Sequence, residues 1–257
     1  LLDGQNVRPE DSDILSDFLL NTAPNGTDFI DTVTQNKLIK RFLDNGKQPL
    51  MDLTKEEFIF IDTKVKRRGY KEDPNVDALV SSLTREVAAK SFGIDISQVV
   101  SKVEASSIDD KSSIVVVLGK LYIDPYEDES GFINLEYARA VSVSDNSVFT
   151  APKLTDTRRV TLAKNSTAIL PSLERADSFY AEEASKLVVN NLKSVTTLSA
   201  YEYSTINASN LEVIHGQLTV KLGANINFPK LHTADYCEFS TRDSISAAYR
   251  LGELKPN

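Results

Sequence analysis

The chain is poor in the side chains that usually carry chemistry: two histidines, His215 and His232, and one cysteine, Cys237. No cysteine or carboxylate joins the histidines at metal-ligand spacing, and no nucleophile motif accompanies them. Neither a metal centre nor Ser/His/Asp or Cys/His catalysis is therefore expected. Asp124, Glu127, Asp128 and Glu129 crowd one stretch ahead of Gly131. A calcium loop needs D-x-D-x-D-G and a later Glu, and that spacing fails, so a solvated acidic turn is expected. No Gly-rich phosphate loop follows a strand, which leaves nucleotide binding without a motif. The chain reads as a non-enzyme without cofactor. Its one cationic run is Lys64, Lys66, Arg67 and Arg68, within a stretch (37–71) of ten basic and five acidic side chains. Cations are favoured at a helix C-terminus by the helix dipole; the functional reading is a contact to nucleic acid or to an acidic protein.

Composition narrows the classes further. Net charge is −8, with 15 basic against 20 acidic residues through Ser112 and 14 against 17 after it. That balance argues against global attraction to nucleic acid or an anionic membrane. No apolar run reaches the roughly 18–20 residues of a membrane span, and no charged-then-apolar segment opens the sequence. A cytoplasmic or particle-associated protein is expected. With one cysteine there is no internal disulfide, and Cys237 falls in a core column, as a small buried hydrophobe would.

That column belongs to a repeat of 19 or 20 residues. Its anchor positions are Val115, Leu135, Leu154, Leu173, Leu192, Leu211 and Leu231, followed by Leu118, Ala138, Thr157, Ala176, Val195, Ile214 and Ala234. Next come Leu121, Val141, Val160, Phe179, Leu198, Leu218 and Cys237, then Ile123, Val143, Leu162, Ala181, Ala200, Val220 and Phe239. A later column holds Phe149, Ala168, Leu187, Ile206, Ile226 and Ile245. A fixed period of this size predicts a solenoid. The apolar-x-apolar pair in each unit predicts a short strand, the seven running from Lys120–Asp124 to Tyr236–Ser240 and stacking as one parallel sheet.

Residues 1–93 read as a helical section, 94–112 as a transition or degenerate first repeat, and 113–250 as the solenoid. A first helix follows Pro9. A second is capped by Asp28 and stopped by Asn45-Gly46; a third opens on a Thr54/Glu57 capping box and closes near Gly69. The fourth starts at Asp73-Pro74, carries Val76, Leu79, Val80, Leu83 and Val87 as one stripe, and stops at Gly93. Together these elements form a small bundle or a cap on the solenoid. The fold class is α+β: a helical front and a repeat with about seven short parallel strands.

The unit Leu192-Lys193-Ser194-Val195-Thr196-Thr197-Leu198-Ser199-Ala200 resembles the leucine-rich-repeat family, L-x-x-L-x-L-x-x-N. In the Asn column the chain has Tyr126, Asn146, Asn165, Ala184, Tyr203, Gly223 and Arg242, so two of seven conform. A parallel β-helix stays open beside a divergent leucine-rich fold. The resemblance implies binding through the concave sheet. The candidates there are Tyr122, Arg159, Tyr180, Glu182, Thr197, Tyr201, Lys221, Tyr236 and Glu238, because tyrosine buries much area with little rotamer entropy. Tyr, Ser and Thr also suit any solvated strand face. The expected function is non-enzymatic interaction with another macromolecule, most readily a protein. The alternative is a structural subunit of a larger assembly, such as a virus or phage particle component or a surface adhesin.

Overall fold

The computed structural model describes residues 26–63, 74–101 and 103–239, with side chains from residue 32. Two compact units part between Thr84 and Arg85. The first contains α1 (Gly26–Asp44), α2 (Lys55–Thr63) and α3 (Pro74–Ser81). Helix α1 begins two residues before the expected cap and ends where Asn45-Gly46 requires. Gly46 adopts φ +64°, and Lys47 N–H reaches back to the Phe42 carbonyl at 2.9 Å, a Schellman closure. The α2 capping box is formed. Glu57 N–H donates to Thr54 Oγ1 at 3.1 Å, and Thr54 N–H donates to Glu57 Oε2 at 3.2 Å. Leu38, Phe42, Leu53, Phe58, Ile61, Val76 and Leu79 are buried. The helix expected after Pro9, Asp73 and the cationic run of Lys64, Lys66, Arg67 and Arg68 lie outside the described residues.

The stripe from Val76 to Val87 is divided between two helices. Ser82 Oγ donates to the Leu79 carbonyl at 2.7 Å, and Thr84 N–H turns back to the Ser82 carbonyl at 2.9 Å. Hydroxyl side chains offer the backbone such local alternatives to a continuing helix. A separate helix α4 (Arg85–Phe92) follows and belongs to the second unit. It closes at Gly93, where Ile94 N–H bonds the Ala89 carbonyl at 2.9 Å. The Phe92 ring lies 6.2 Å from that of Tyr137, so α4 covers the early strands. Tyr137 and its register partners Val116 and Asp156 are buried beside the inward row rather than in it, so α4 lies on the outer side of the larger sheet at the start of its early strands.

The second unit is a parallel β-solenoid of about seven turns. The larger sheet contains β1 (Val99–Val100), β2 (Val103–Glu104), β3 (Val116–Ile123), β5 (Tyr137–Val143), β7 (Asp156–Leu162), β9 (Arg175–Ala181), β11 (Ser194–Ala200), β13 (Val213–Val220) and β15 (Thr233–Phe239). The smaller contains β4 (Asp128–Glu129), β6 (Val148–Thr150), β8 (Thr167–Ile169), β10 (Lys186–Val188), β12 (Thr205–Asn207) and β14 (Asn225–Asn227). Each sheet runs in chain order, with β1 and β2 both paired to β3. Leu121, Val141, Val160, Phe179, Leu198, Leu218 and Cys237 pair consecutively as one row. All of them are buried except Cys237, which is half-buried. The later column from Phe149 to Ile226 supplies the inward residue of the smaller sheet. Val99–Val100 and Val103–Glu104 add a partial rung ahead of β3.

Three details differ from expectation. The long strands start three or four residues earlier and end one residue earlier. Their inward positions, such as Ala138, Val141 and Val143, break alternation mid-strand, which hides the first half from a period-two reading. In the first coil the inward residues are Ile114 and Val117 rather than Val115 and Leu118. An extra residue lies between Val117 and Lys120, and another between Ile214 and Gln217. Gly119 and Gly216 sit at these bulges. A further inward row, Phe132, Ala151, Leu170, Val189, Ala208 and Phe228, follows the smaller sheet.

Between the sheets the first described coil turns through one left-handed residue, Tyr126, and the five that follow turn sharply through two. Asp145-Asn146, Lys164-Asn165, Glu183-Ala184, Glu202-Tyr203 and Leu222-Gly223 all have positive φ. With Ser147 N–H on the Ser144 carbonyl at 3.3 Å these are type I′ turns. From Tyr126 to Gly223 the column matched to the family's Asn is thus a set of left-handed turn residues, with Asn146 and Asn165 exposed; Arg242 lies outside the described residues. One residue on, Ser147, Ser166, Ser185 and Ser204 are buried. Ser166 and Ser204 donate to the carbonyls of Val143 and Ala181 in the coil before, at 3.0 and 3.1 Å.

A Cβ on Gly216 would lie 2.8 Å from the Thr196 carbonyl oxygen. Gly216→Ala should therefore lower stability by about 1–3 kcal/mol through local overpacking. Urea unfolding with an unchanged m-value is the check; an unaltered midpoint would refute the bulge assignment.

Candidate functional site

The outward columns stand side by side on the larger sheet. Tyr122, Ser142, Thr161, Tyr180, Ser199, Thr219 and Glu238 occupy consecutive strands in register, and of these Ser199 and Thr219 are buried. Arg159, Ser178 and Thr197 form a second in-register run. The candidates nevertheless fall into separate groups. Toward the later strands, the Tyr180 and Tyr201 rings lie 5.4 Å apart and tilted by 43°. Tyr180 O–H donates to Glu182 Oε2 at 2.7 Å. Lys221 forms an ion pair with Glu238, and Tyr236 stands exposed on the same strand as Glu238. At the other end, the Lys120 ammonium sits 4.5 Å from the centre of the Tyr122 ring. Tyr122 borders a cleft of about 450 Å³ that Glu104, Ser107, Asp124 and Ser144 also line. Arg159 lies between the groups and donates from Nε to Ser178 Oγ at 3.2 Å.

These contacts set the electrostatics. The hydrogen bond that Tyr180 donates to Glu182 holds its proton, and with partial burial and the nearby carboxylate charge it pushes the phenol up to about 12. Glu238 raises the Lys221 ammonium, chiefly by hydrogen bonding. Both groups keep their ordinary charge near neutrality. The cluster therefore offers two ring faces beside a carboxylate and an internally neutralised ion pair.

Several polar residues on this face escape a strand reading that begins late. Arg139, Arg158, Arg175, Asp156 and Asp177 sit in the early halves of β5, β7 and β9. Asp156 is 1% exposed and is gripped by Arg175 through both Nε and Nη2, the latter at 3.1 Å. Arg158 Nε lies 3.9 Å from Asp177. The signal was present, since the pairs 139/158 and 156/175 each repeat after 19 residues.

The remaining chemical candidates are accounted for separately. His215 and His232 are exposed, the latter with Nδ1 2.9 Å from Thr233 Oγ1. Among the described residues no three His, Cys, Asp or Glu converge as a metal site. In the acidic stretch, Asp124 accepts from Ser106 N–H at 2.8 Å, and the buried Glu129 pairs with Lys111 at 2.5 Å. Those two carboxylates have structural partners. Burial pushes the Cys237 thiol up. No described helix is long and apolar enough to cross a membrane.

Set against models of protein families, curated proteins and solved structures, the chain finds no match in any of the three.

In Glu182→Gln the phenol of Tyr180 should titrate nearer the ordinary tyrosine range, about 10. Ultraviolet titration should show one phenol moving down; no change would exclude the Glu182 bond as the cause. The raised phenol stabilises the fold fully below the ordinary tyrosine range, and that contribution is lost as pH rises through about 12.

Proposed function

We propose that this chain is a non-enzymatic interaction module that holds another macromolecule, most readily a protein, on the outer face of its larger sheet. The observation that supports it is the Tyr180–Tyr201 ring pair on an open strand face, with Glu182, Lys221, Tyr236 and Glu238 around it. Rigid tyrosines give large contact area with a polar tip; Tyr180 is held on β9 and Tyr201 directly follows β11. Kinship with leucine-rich-repeat proteins, which use the same face, is part of this proposal. So is the absence of catalysis.

A second reading is a subunit of a larger assembly, a virus or phage particle component or a surface adhesin. The continuous bonding from rung to rung in both sheets favours it, because such a ladder makes a stiff spacer. Light scattering after size exclusion separates the two: a monomer supports the module, and a defined oligomer supports the subunit.

Replacing both Tyr180 and Tyr201 by Ala should weaken partner capture about tenfold or more, with little change in melting temperature. A photo-crosslinker at Thr161 should label the partner in extracts of the source, whereas one at Ile169 on the smaller sheet should not. Equal labelling from both positions would overturn the assignment of the face.

A further inference from the structure

Charge is distributed unevenly along the larger sheet. Strands β3, β5, β7 and β9 contain five cations, Lys120, Arg139, Arg158, Arg159 and Arg175, and two anions, Asp156 and Asp177. Strands β11, β13 and β15 contain no Lys or Arg and two anions, Asp235 and Glu238. The corner leading into β5, β7 and β9 carries Glu136, Lys153 and Glu174, a net charge of −1, and Asp124, Asp145 and Glu182 flank the far ends of β3, β5 and β9, so the excess belongs to the strands themselves. A chain of net charge −8 thus concentrates an excess of three positive charges on four adjacent strands. At about 4.8 Å between strands, that patch is roughly 15 Å long.

The chemistry of the patch is specific. Four of its five cations are arginines, whose planar fork matches a carboxylate in two-pronged fashion. The protein already uses that mode here, Arg175 holding Asp156 through two nitrogens. Arg159 is exposed, and its only polar partner among the described residues is the Ser178 hydroxyl. The hydroxyls of Ser142, Thr161 and Ser178 lie between the cations and can donate to further carboxylate oxygens. A nucleic acid, with a charge every 1.7 Å or so, would meet repulsion from the rest of a −8 chain. A short acidic segment matches an excess of three.

We propose that the outer face of β3–β9 is a docking surface for an acidic polypeptide segment, its carboxylates held by Lys120, Arg158 and Arg159. This rests on the reading of the larger sheet as the interaction face, and it names the chemical class of the partner. The test uses the full chain and a fluorescein-labelled oligoglutamate peptide, followed by anisotropy. A Gly-Ser peptide and an oligodeoxythymidine of equal charge serve as comparators. Oligoglutamate should bind at low salt and lose about tenfold in affinity at several times physiological salt. Lys120→Glu with Arg159→Glu should reduce affinity at least about tenfold, and Lys186→Glu with Lys230→Glu, away from this patch, less than about twofold. If the charge-reversed chain folds poorly, Lys120→Gln with Arg159→Gln should give the same direction of change.

No binding of oligoglutamate at low salt would overturn the proposal. So would equal losses from both pairs of substitutions, or tighter binding of oligodeoxythymidine. If oligoglutamate fails while Tyr180 and Tyr201 still govern partner capture, the acidic-segment assignment falls and the face itself stands. If both fail, the face is wrong.

Discussion

Every rung of this solenoid depends on the next one for its backbone hydrogen bonds and for half of its apolar cover. A single coil offers about six inward apolar side chains, such as Leu135, Ala138, Val141, Val143, Phe149 and Ala151, and with nothing above or below them they are too few to offset the entropy of ordering about 20 residues. Stacked in parallel, the same rows become continuous. Leu121 to Cys237 runs as one line through the larger sheet, and Phe149 to Ile226 as another through the smaller. This mutual dependence explains why the two ends differ from the middle. At the front, only the partial rung of β1 and β2 stands ahead of β3. In the last described strand, Cys237 and Phe239 are only half-buried, whereas their counterparts Leu218 and Val220 one rung earlier are buried.

The turns obey the same requirement. A left-handed residue other than glycine costs about 1–2 kcal/mol, yet the turns from Asp145-Asn146 to Glu202-Tyr203 each use two, and Leu222-Gly223 uses one. The second residue of one turn donates its N–H to the carbonyl of the first residue in the next coil. Asn146 to Lys164 at 2.8 Å, Asn165 to Glu183 at 2.7 Å and Ala184 to Glu202 at 2.7 Å are successive links. The ladder therefore continues around the corner, and the bonds it gains offset the local strain. Of the buried serines beside the turns, Ser166 and Ser204 add links to the coil before.

Much of the fold was legible because period and burial coincide. The inward row from Leu121 to Cys237, the column of the smaller sheet, the capping box at Thr54 and Glu57 and the stops at Gly46 and Gly93 all follow from local chemistry. The strand starts were not legible, because inward residues such as Ala138 and Val141 are three apart and alternation fails there. The early halves of the strands therefore hide Arg139, Arg158 and Arg175 from a period-two reading, although Arg139 and Arg158 recur after 19 residues, as do Asp156 and Arg175. Contacts across rungs, such as Tyr180 with Tyr201 or Arg175 with Asp156, require the register itself. The helix break at Ser82 was obscured because Val80, Leu83 and Val87 continue one stripe across it.

The bulges at Gly119 and Gly216 show how a rung accommodates length. Each lies on the outward side of a long strand, and the inward rows on either side of it stay in line. A rung can therefore gain one residue without disturbing the interior, provided the addition falls midway along the larger sheet and a small residue allows the backbones to approach. Such a rung presents an altered spacing of side chains to whatever meets the protein there. The architecture thus separates two quantities that are coupled in most β-structures: the contour of the outer surface can vary by single residues while the stacking repeat stays constant.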